Sequence, residues 1–152
     1  RLQRLATTLR LDSTVTWTGA LTRAEVVVPL QRANAFVLPM RTRLRGLYPE
    51  GLGLAALEAA ACGLPVIVGA SGGAPETVRV GESGFVVEPE DPVALADRLA
   101  GLLTDPKQAR RMGAAGRTHV ITRFGAATAR VTLRQSLGLD ATAGPAGQPA
   151  SP

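Results

Sequence analysis

The chain has 152 residues, 45% of them hydrophobic and 19% charged, an ordinary balance for a single folded domain with a real core. Only 3% are aromatic, which argues against single-strand nucleic-acid modules built on stacking rings. The formal charge of +5 comes almost wholly from arginines scattered along the chain, with no single basic helix. That charge suits an anionic substrate or a membrane surface better than nucleic acid, which is not expected as a partner. Cys62 and His119 are each the lone residue of their type, which rules out an internal disulfide and Cys- or His-rich metal sites. Glu58 and Pro65 interrupt the most apolar region, so no run of about 20 apolar residues forms a membrane span. The sequence opens at Arg1 in mid-pattern and reads as a piece of something longer.

In chain order, residues 14–19 alternate β-formers around Trp17 and end in a glycine turn, which predicts a strand. Residues 22–33 predict a helix, with Thr22 as cap, Glu25 three positions on, and Pro29 shortening or kinking it. The apolar run 35–39 predicts a strand buried on both faces. A basic loop follows over 41–49. Residues 51–62 are rich in Ala and Leu and predict a helix ended by Gly63 and Pro65. Residues 65–69 predict a second buried strand, 71–75 a glycine-rich loop, and Pro75 the start of a short helix to Val78. Residues 84–87 predict another strand. Helices are predicted over 93–103, capped by Asp91, then over 106–124 and 126–137. Residues 1–138 form the expected domain, and 139–152, rich in Ala, Gly and Pro, a disordered tail.

Strands alternating with helices at these spacings predict an α/β fold, a Rossmann-like parallel sheet with helices on both faces. Such sheets bind ligands beyond the carboxyl ends of their strands. The loops 41–53 and 69–75 both lie at that end.

Between them, Glu50 to Glu58 stands out. Gly51 and Gly53 open a helix, where backbone N–H groups lack partners and the dipole is positive, a place that suits diphosphate or sugar oxygens. Glu50 precedes the glycines, and Glu58 sits about two turns further in, some 8 to 12 Å away on a rise of ~1.5 Å per residue. Two acceptors at that separation can span an extended polyhydroxyl ligand. The plainer alternative makes Glu50 a partner for the helix dipole and Glu58 a solvated residue, although Glu58 has an apolar setting. A glycoside hydrolase needs its carboxylates facing each other at ~5 to 9.5 Å, whereas eight helical steps leave these two about 80° apart around the axis. Gly51, Gly53 and Ala56 also match a dinucleotide fingerprint, which keeps an oxidoreductase domain as a lesser alternative, since about ten residues separate the match from the strand it should follow directly. Arg41 and Arg43 could meet an anion or form a solvated basic loop. His119 suits packing better than catalysis, and Cys62 a small core position.

Glu50 and Glu58, followed by Ala-Cys-Gly-Leu-Pro-Val-Ile-Val and Gly-Gly-Ala-Pro-Glu, resemble the GT-B retaining glycosyltransferases of family 4. Residues 111–117, Phe124 and the Val15-Thr-Trp-Thr-Gly19 segment extend the resemblance over roughly residues 1–137. Within the family, Met-Arg-Thr-Arg and Tyr-Pro-Glu-Gly-Leu-Gly-Leu most resemble the phosphatidylinositol mannoside α-mannosyltransferases. The resemblance implies the C-terminal, donor-binding part of a GT-B enzyme that transfers a hexose with retention from GDP-mannose or a UDP-sugar, with no cofactor and no essential metal. It implies that Glu50 contacts the transferred sugar and that the amides of Gly51, Leu52, Gly53 and Leu54 hold sugar and phosphate. It further implies that Glu58 binds the ribose hydroxyls, while Gly19 and Leu21 line the base. Basic residues that clamp the phosphate would precede Arg1, and so would an N-terminal acceptor domain, leaving this piece inactive alone. Leu52 stands where many members have Phe. A cytoplasmic enzyme, peripheral at the inner face of the plasma membrane and acting on a lipid acceptor, fits the same resemblance.

Overall fold

The structure, a computed structural model, describes residues 1–42 and 49–139. Arg43 and the expected tail beyond Leu139 therefore lie outside the described residues. Six α-helices and three strands follow in the order α1 (Leu2–Thr8), α2 (Arg23–Arg32), β1 (Phe36–Leu38), α3 (Leu54–Ala61), β2 (Val66–Gly69), β3 (Gly84–Val87), α4 (Pro92–Thr104), α5 (Pro106–Phe124) and α6 (Ala126–Ser136) among the described residues. A short 3-10 turn, Ala74–Thr77, lies between β2 and β3. The strands form one parallel sheet, β1-β2-β3, with Val37, Ile67 and Phe85 side by side in one row and Leu38, Val68 and Val86 in the next.

Successive strand residues face opposite sides, so these rows feed two separate cores. Val66 and Val68 pack with Ala56, Ala59 and Ala60 of α3, and Phe36, Leu38 and Val86 close that side. Ile67 packs on the other side with Leu102 of α4 and Ala109 and Met112 of α5, joined by Val37, Phe85, Leu95 and Leu99. The small alanine face of α3 brings that helix close to the sheet. Helices thus cover both faces, as the alternation of elements predicts.

Three local expectations change. Residues 14–19 form no strand, and Trp17 is 47% exposed. An alternating sequence becomes a strand only beside a neighbour that takes its backbone hydrogen bonds, and the described sheet pairs β1, β2 and β3 alone. Strand β1 is half-buried instead of fully buried, because β2 flanks it on one side only. Helix α2 runs on through Pro29 to Arg32; its Thr22 and Glu25 form the expected capping box. Helix α1, with Ala6 as its buried residue, had no cap or acidic first turn to announce it.

Candidate functional site

The carboxyl ends of β1 and β3 border a cleft of about 940 Å³ lined by Pro39, Met40, Arg41, Pro49, Glu50, Pro89, Glu90 and Pro92. A pocket of about 220 Å³ lies at the other end of the sheet, beside Asn34, Leu64, Pro65 and Arg110, where strands begin and parallel α/β sheets do not bind ligands. The cleft with Glu50 is therefore the candidate site.

Glu50 is held by its backbone. Its N–H donates to Ser71 Oγ at 3.3 Å, and its carbonyl accepts the Gly73 N–H at 3.0 Å. Ser71 Oγ also meets Thr42 Oγ1 at 2.9 Å. The glycine-rich loop after β2 makes this approach feasible. A Cβ on Gly72, whose φ is +51°, would stand 1.8 Å from the Glu50 carbonyl oxygen, and one on Gly73 would stand 2.3 Å from that of Gly51. The sequence predicts a strand-to-helix turn here, and Pro75 does lie in the first positions of the 3-10 turn. The sequence alone does not show that the same glycines seat Glu50. The spacing of Gly72 and Gly73 after a buried strand is the available signal; Ser71 and Thr42 carried none.

Helix α3 begins at Leu54, later than the predicted position 51, because its N-cap Gly53 takes a left-handed conformation with φ 75°. Counting helical steps from Glu50 therefore does not describe the site, since residues 50–53 are a loop. Gly53 has no side chain to cap the helix, and of the first-turn amides that of Ala56 is taken by the Gly53 carbonyl at 2.8 Å, with the positive end of the dipole at this end. The carboxylate of Glu50 turns back and accepts the Gly53 N–H through Oε1 at 2.9 Å. This is the dipole-partner arrangement that the plainer reading foresaw. Among the described residues Oε2 has no hydrogen-bond partner, and a carboxylate has about four acceptor positions with which to meet a ligand hydroxyl.

Glu58 lies on α3 with its side chain 48% exposed, less apolar in setting than its neighbours suggested, and its Oε1 stands 3.7 Å from Nη2 of Arg23. Arg23, the first residue of α2, thus stands beside Glu58 on α3. Gly19 has φ +67° with nothing within 4 Å of an added Cβ, and Leu21 lines an apolar groove with Val28 and Pro29. Both precede Arg23 closely in the chain. Leu52 is half-buried and Leu54 exposed beside the glycines. Arg41 lines the cleft but donates to Glu90 Oε1 at 2.8 Å, so an anion there would compete with a carboxylate.

His119 packs, as predicted. It is 6% exposed, its Nε2 donates to the Glu76 carbonyl at 3.2 Å, and its ring meets Phe124 edge-on at 5.7 Å. Cys62 is half-buried at the end of α3 and not a core residue, because the helix stops there and the chain turns. Among the described residues no group of three or more His, Cys, Asp or Glu is placed to hold a metal ion, and no helix is long and apolar enough to cross a membrane.

The family model of glycosyl transferases group 1 matches residues 1–119. The chain is 46% identical over 116 residues to a GDP-mannose-dependent α-(1-6)-phosphatidylinositol monomannoside mannosyltransferase of Mycolicibacterium smegmatis, covering 76% of this chain and 30% of that protein. It is 49% identical over 119 residues to the GDP-mannose-dependent monoacylated α-(1-6)-phosphatidylinositol monomannoside mannosyltransferase of Corynebacterium glutamicum, covering 78% of this chain and 30% of that protein. Anabaena HepE, solved in complex with UDP, superimposes with a TM-score of 0.78 at 25% identity over 91% of this chain and 36% of that one. The chain thus spans about a third of the length of the curated relatives it matches. By its matched sequence and by its α/β layout, the Rossmann-like type of the GT-B glycosyltransferases, this chain belongs to the group 1 glycosyl transferases.

Proposed function

We propose that this chain carries the donor site of a retaining hexosyltransferase that uses a nucleotide-activated mannose, GDP-mannose or, failing that, a UDP-sugar. The observation that carries the proposal is the Glu50 loop, seated on glycine backbone at the carboxyl end of the sheet with the uncapped amino end of α3 beside it. In this reading Oε2 of Glu50 accepts from the hexose hydroxyls while Oε1 keeps its bond to Gly53. The amides of Gly51, Leu52 and Leu54, with the helix dipole behind them, face the charge that gathers on the departing diphosphate, while that of Gly53 stays on Glu50. Fixed donors need no reorganisation when that charge develops, so the reaction proceeds without an essential metal. Glu58 takes the ribose hydroxyls, and the turn at Gly19 and Leu21 lines the base. Arg41 assists with the anion once Glu90 is displaced, a small cost because an exposed ion pair is worth about 0–1 kcal/mol. Arg43 is assigned the same role.

The relatives' dependence on GDP-mannose supports mannose as the sugar, and the UDP bound to Anabaena HepE supports a nucleoside diphosphate as the leaving group. We further propose that an acceptor domain of the same protein completes the cleft, that this piece transfers nothing by itself, and that the acceptor is a lipid met at the inner face of the membrane. The test uses the complete protein. GDP should raise its melting temperature while NAD does not, since only a ligand of the native state stabilises it. Glu58→Ala should abolish transfer. Unchanged turnover in that variant would deny Glu58 its place on the ribose, absence of turnover in the wild-type protein would favour a nucleotide-binding module without catalysis, and stabilisation by NAD would favour an oxidoreductase.

A further inference from the structure

The proposed donor site leaves one buried polar side chain of α5 unused. His119 is buried, and its Nε2 donates to the Glu76 carbonyl at 3.2 Å. A carbonyl only accepts, so Nε2 carries the proton, and in the neutral ring Nδ1 is a bare acceptor. Nδ1 is buried with no hydrogen-bond partner among the described residues. An unmade hydrogen bond at a buried atom costs stability and offsets what the Nε2 bond contributes. An apolar side chain would fill the space beside Phe124 without that cost, so packing alone does not account for a histidine here.

What the histidine adds is a fixed point on the 3-10 turn Ala74–Thr77. The Glu76 N–H donates to the Gly73 carbonyl at 3.0 Å, and the Gly73 N–H donates to the Glu50 carbonyl at 3.0 Å. Glu50 in turn holds the Gly53 N–H through its carboxylate. Hydrogen bonds and backbone thus run from His119 to the candidate site. The turn also lies behind the amino end of α3: a Cβ on Gly53 would stand 3.7 Å from the buried side chains of Ala74 and Thr77. Helix α5 gives the histidine a firm base, because Gly113 lies on the Gly63 backbone and Gly116 lies against Ala60, both near the carboxyl end of α3. Among the described residues the hydrogen bond of His119 alone joins α5 to the turn. The other polar link, Arg123 to Glu76 at 3.8 Å, is open to solvent and weak.

We propose that His119 is a positioning residue for the transfer: through the Glu76 carbonyl it sets the 3-10 turn, and through that turn the carboxylate of Glu50. The inference rests on the assignment of Glu50 to the transferred sugar. A group displaced by about 1 Å loses alignment in the transition state far more than it loses binding, so the effect falls on kcat and not on KM. The test is transfer from GDP-mannose by the complete protein to vesicles containing phosphatidylinositol monomannoside, the lipid in the relatives' names. Rates are taken per nucleotide site, counted by titration with GDP, so that unfolded protein does not enter. His119→Leu should lower kcat about 10-fold and change the KM for GDP-mannose by less than about 2-fold. His119→Gln, which again presents an N–H donor to the Glu76 carbonyl, should return kcat to within about 3-fold of wild type. Hydrogen exchange in the leucine variant should quicken at the Gly73 amide and not in β2. Should leucine fail to fold, the more adaptable His119→Met takes its place. Wild-type kcat in the apolar variant would overturn the proposal, and so would a loss that glutamine does not repair, because His119 would then serve by its shape. Failure of the reading beneath it looks different: Glu50→Ala would leave transfer intact.

Discussion

Helix α3 is finished differently at its two ends. Its amino end starts from Gly53, which has no capping side chain, and borrows only the carboxylate of Glu50. Its carboxyl end is closed. Gly63, with φ +83°, donates to the Ala60 carbonyl and Leu64 to that of Ala59, the paired bonds of a Schellman turn. The Arg117 guanidinium donates to the carbonyl of Ala61, and Gly113 of α5 lies directly on the Gly63 backbone. Anchoring is concentrated where no ligand is expected, which leaves the amino-terminal donors available where one is. The contrast teaches that a binding helix can be fixed from behind, so that its open end is rigid without being satisfied.

The closed end should be the more fragile in folding. A Cβ on Gly113 would stand 1.8 Å from the Gly63 carbonyl oxygen, so Gly113→Ala must push α5 off α3. We expect a loss of about 3 kcal/mol, at the upper end for overpacking, read as a lower denaturation midpoint with an unchanged slope. A shift below about 1 kcal/mol would mean that α5 does not brace α3. The open end should be fragile in activity instead. Gly72→Ala puts a Cβ 1.8 Å from the Glu50 carbonyl at a φ of +51° that favours glycine. Displacing the Glu50 loop by about 1 Å should cost transfer about 100-fold, more than the accompanying loss of stability explains. Parallel losses of both would deny the loop its special role.

Much of this contrast could be read from the chain, and the unread part has a common cause. Val66 to Gly69, Gly84 to Val87 and the long α5 announce themselves through apolar runs, glycine stops and Asp or Pro starts, which are local signals. Glu50 and Gly53 were legible because glycines before an alanine-rich helix imply an open helix end. The conformation of residues 50–53 was not, since it depends on Ser71 and Gly73, some twenty positions away and brought near only by the sheet. Residues 14–19 show the converse: a strand pattern has no meaning without a neighbour to pair with. The pairing of Arg23 with Glu58 and the capping of Ala61 by Arg117 are likewise long-range and leave no trace in periodicity.

Arg117 offers a milder probe of the closed end. Arg117→Met keeps much of the side chain's apolar stem but removes the donor to Ala61. Because the guanidinium is exposed, the expected cost is about 1 kcal/mol, seen as a modest fall in melting temperature with the nucleotide affinity unchanged. A fall in affinity without a fall in stability would show that the cap at the far end tunes the open end, and that the two ends are coupled along the helix.

The smallest effect concerns how α2 begins, and it tests whether that turn is fixed independently of α3. Hydrogen bonds from the backbone and side chain of Thr22 hold the Glu25 carboxyl below its ordinary pKa, because they favour the charged form. A depressed folded-state value means that the capping contribution is fully present above the ordinary carboxylate range and is lost as pH falls through the lower, folded value. An NMR titration of the Glu25 carboxyl should therefore find its midpoint below 4.5. In Thr22→Val, which removes the hydroxyl, the midpoint should move back up. If Thr22→Val also weakened nucleotide binding, Arg23 would be transmitting the state of the cap to Glu58 on α3, and the amino turn of α2 and the open end of α3 would have to be treated as one unit.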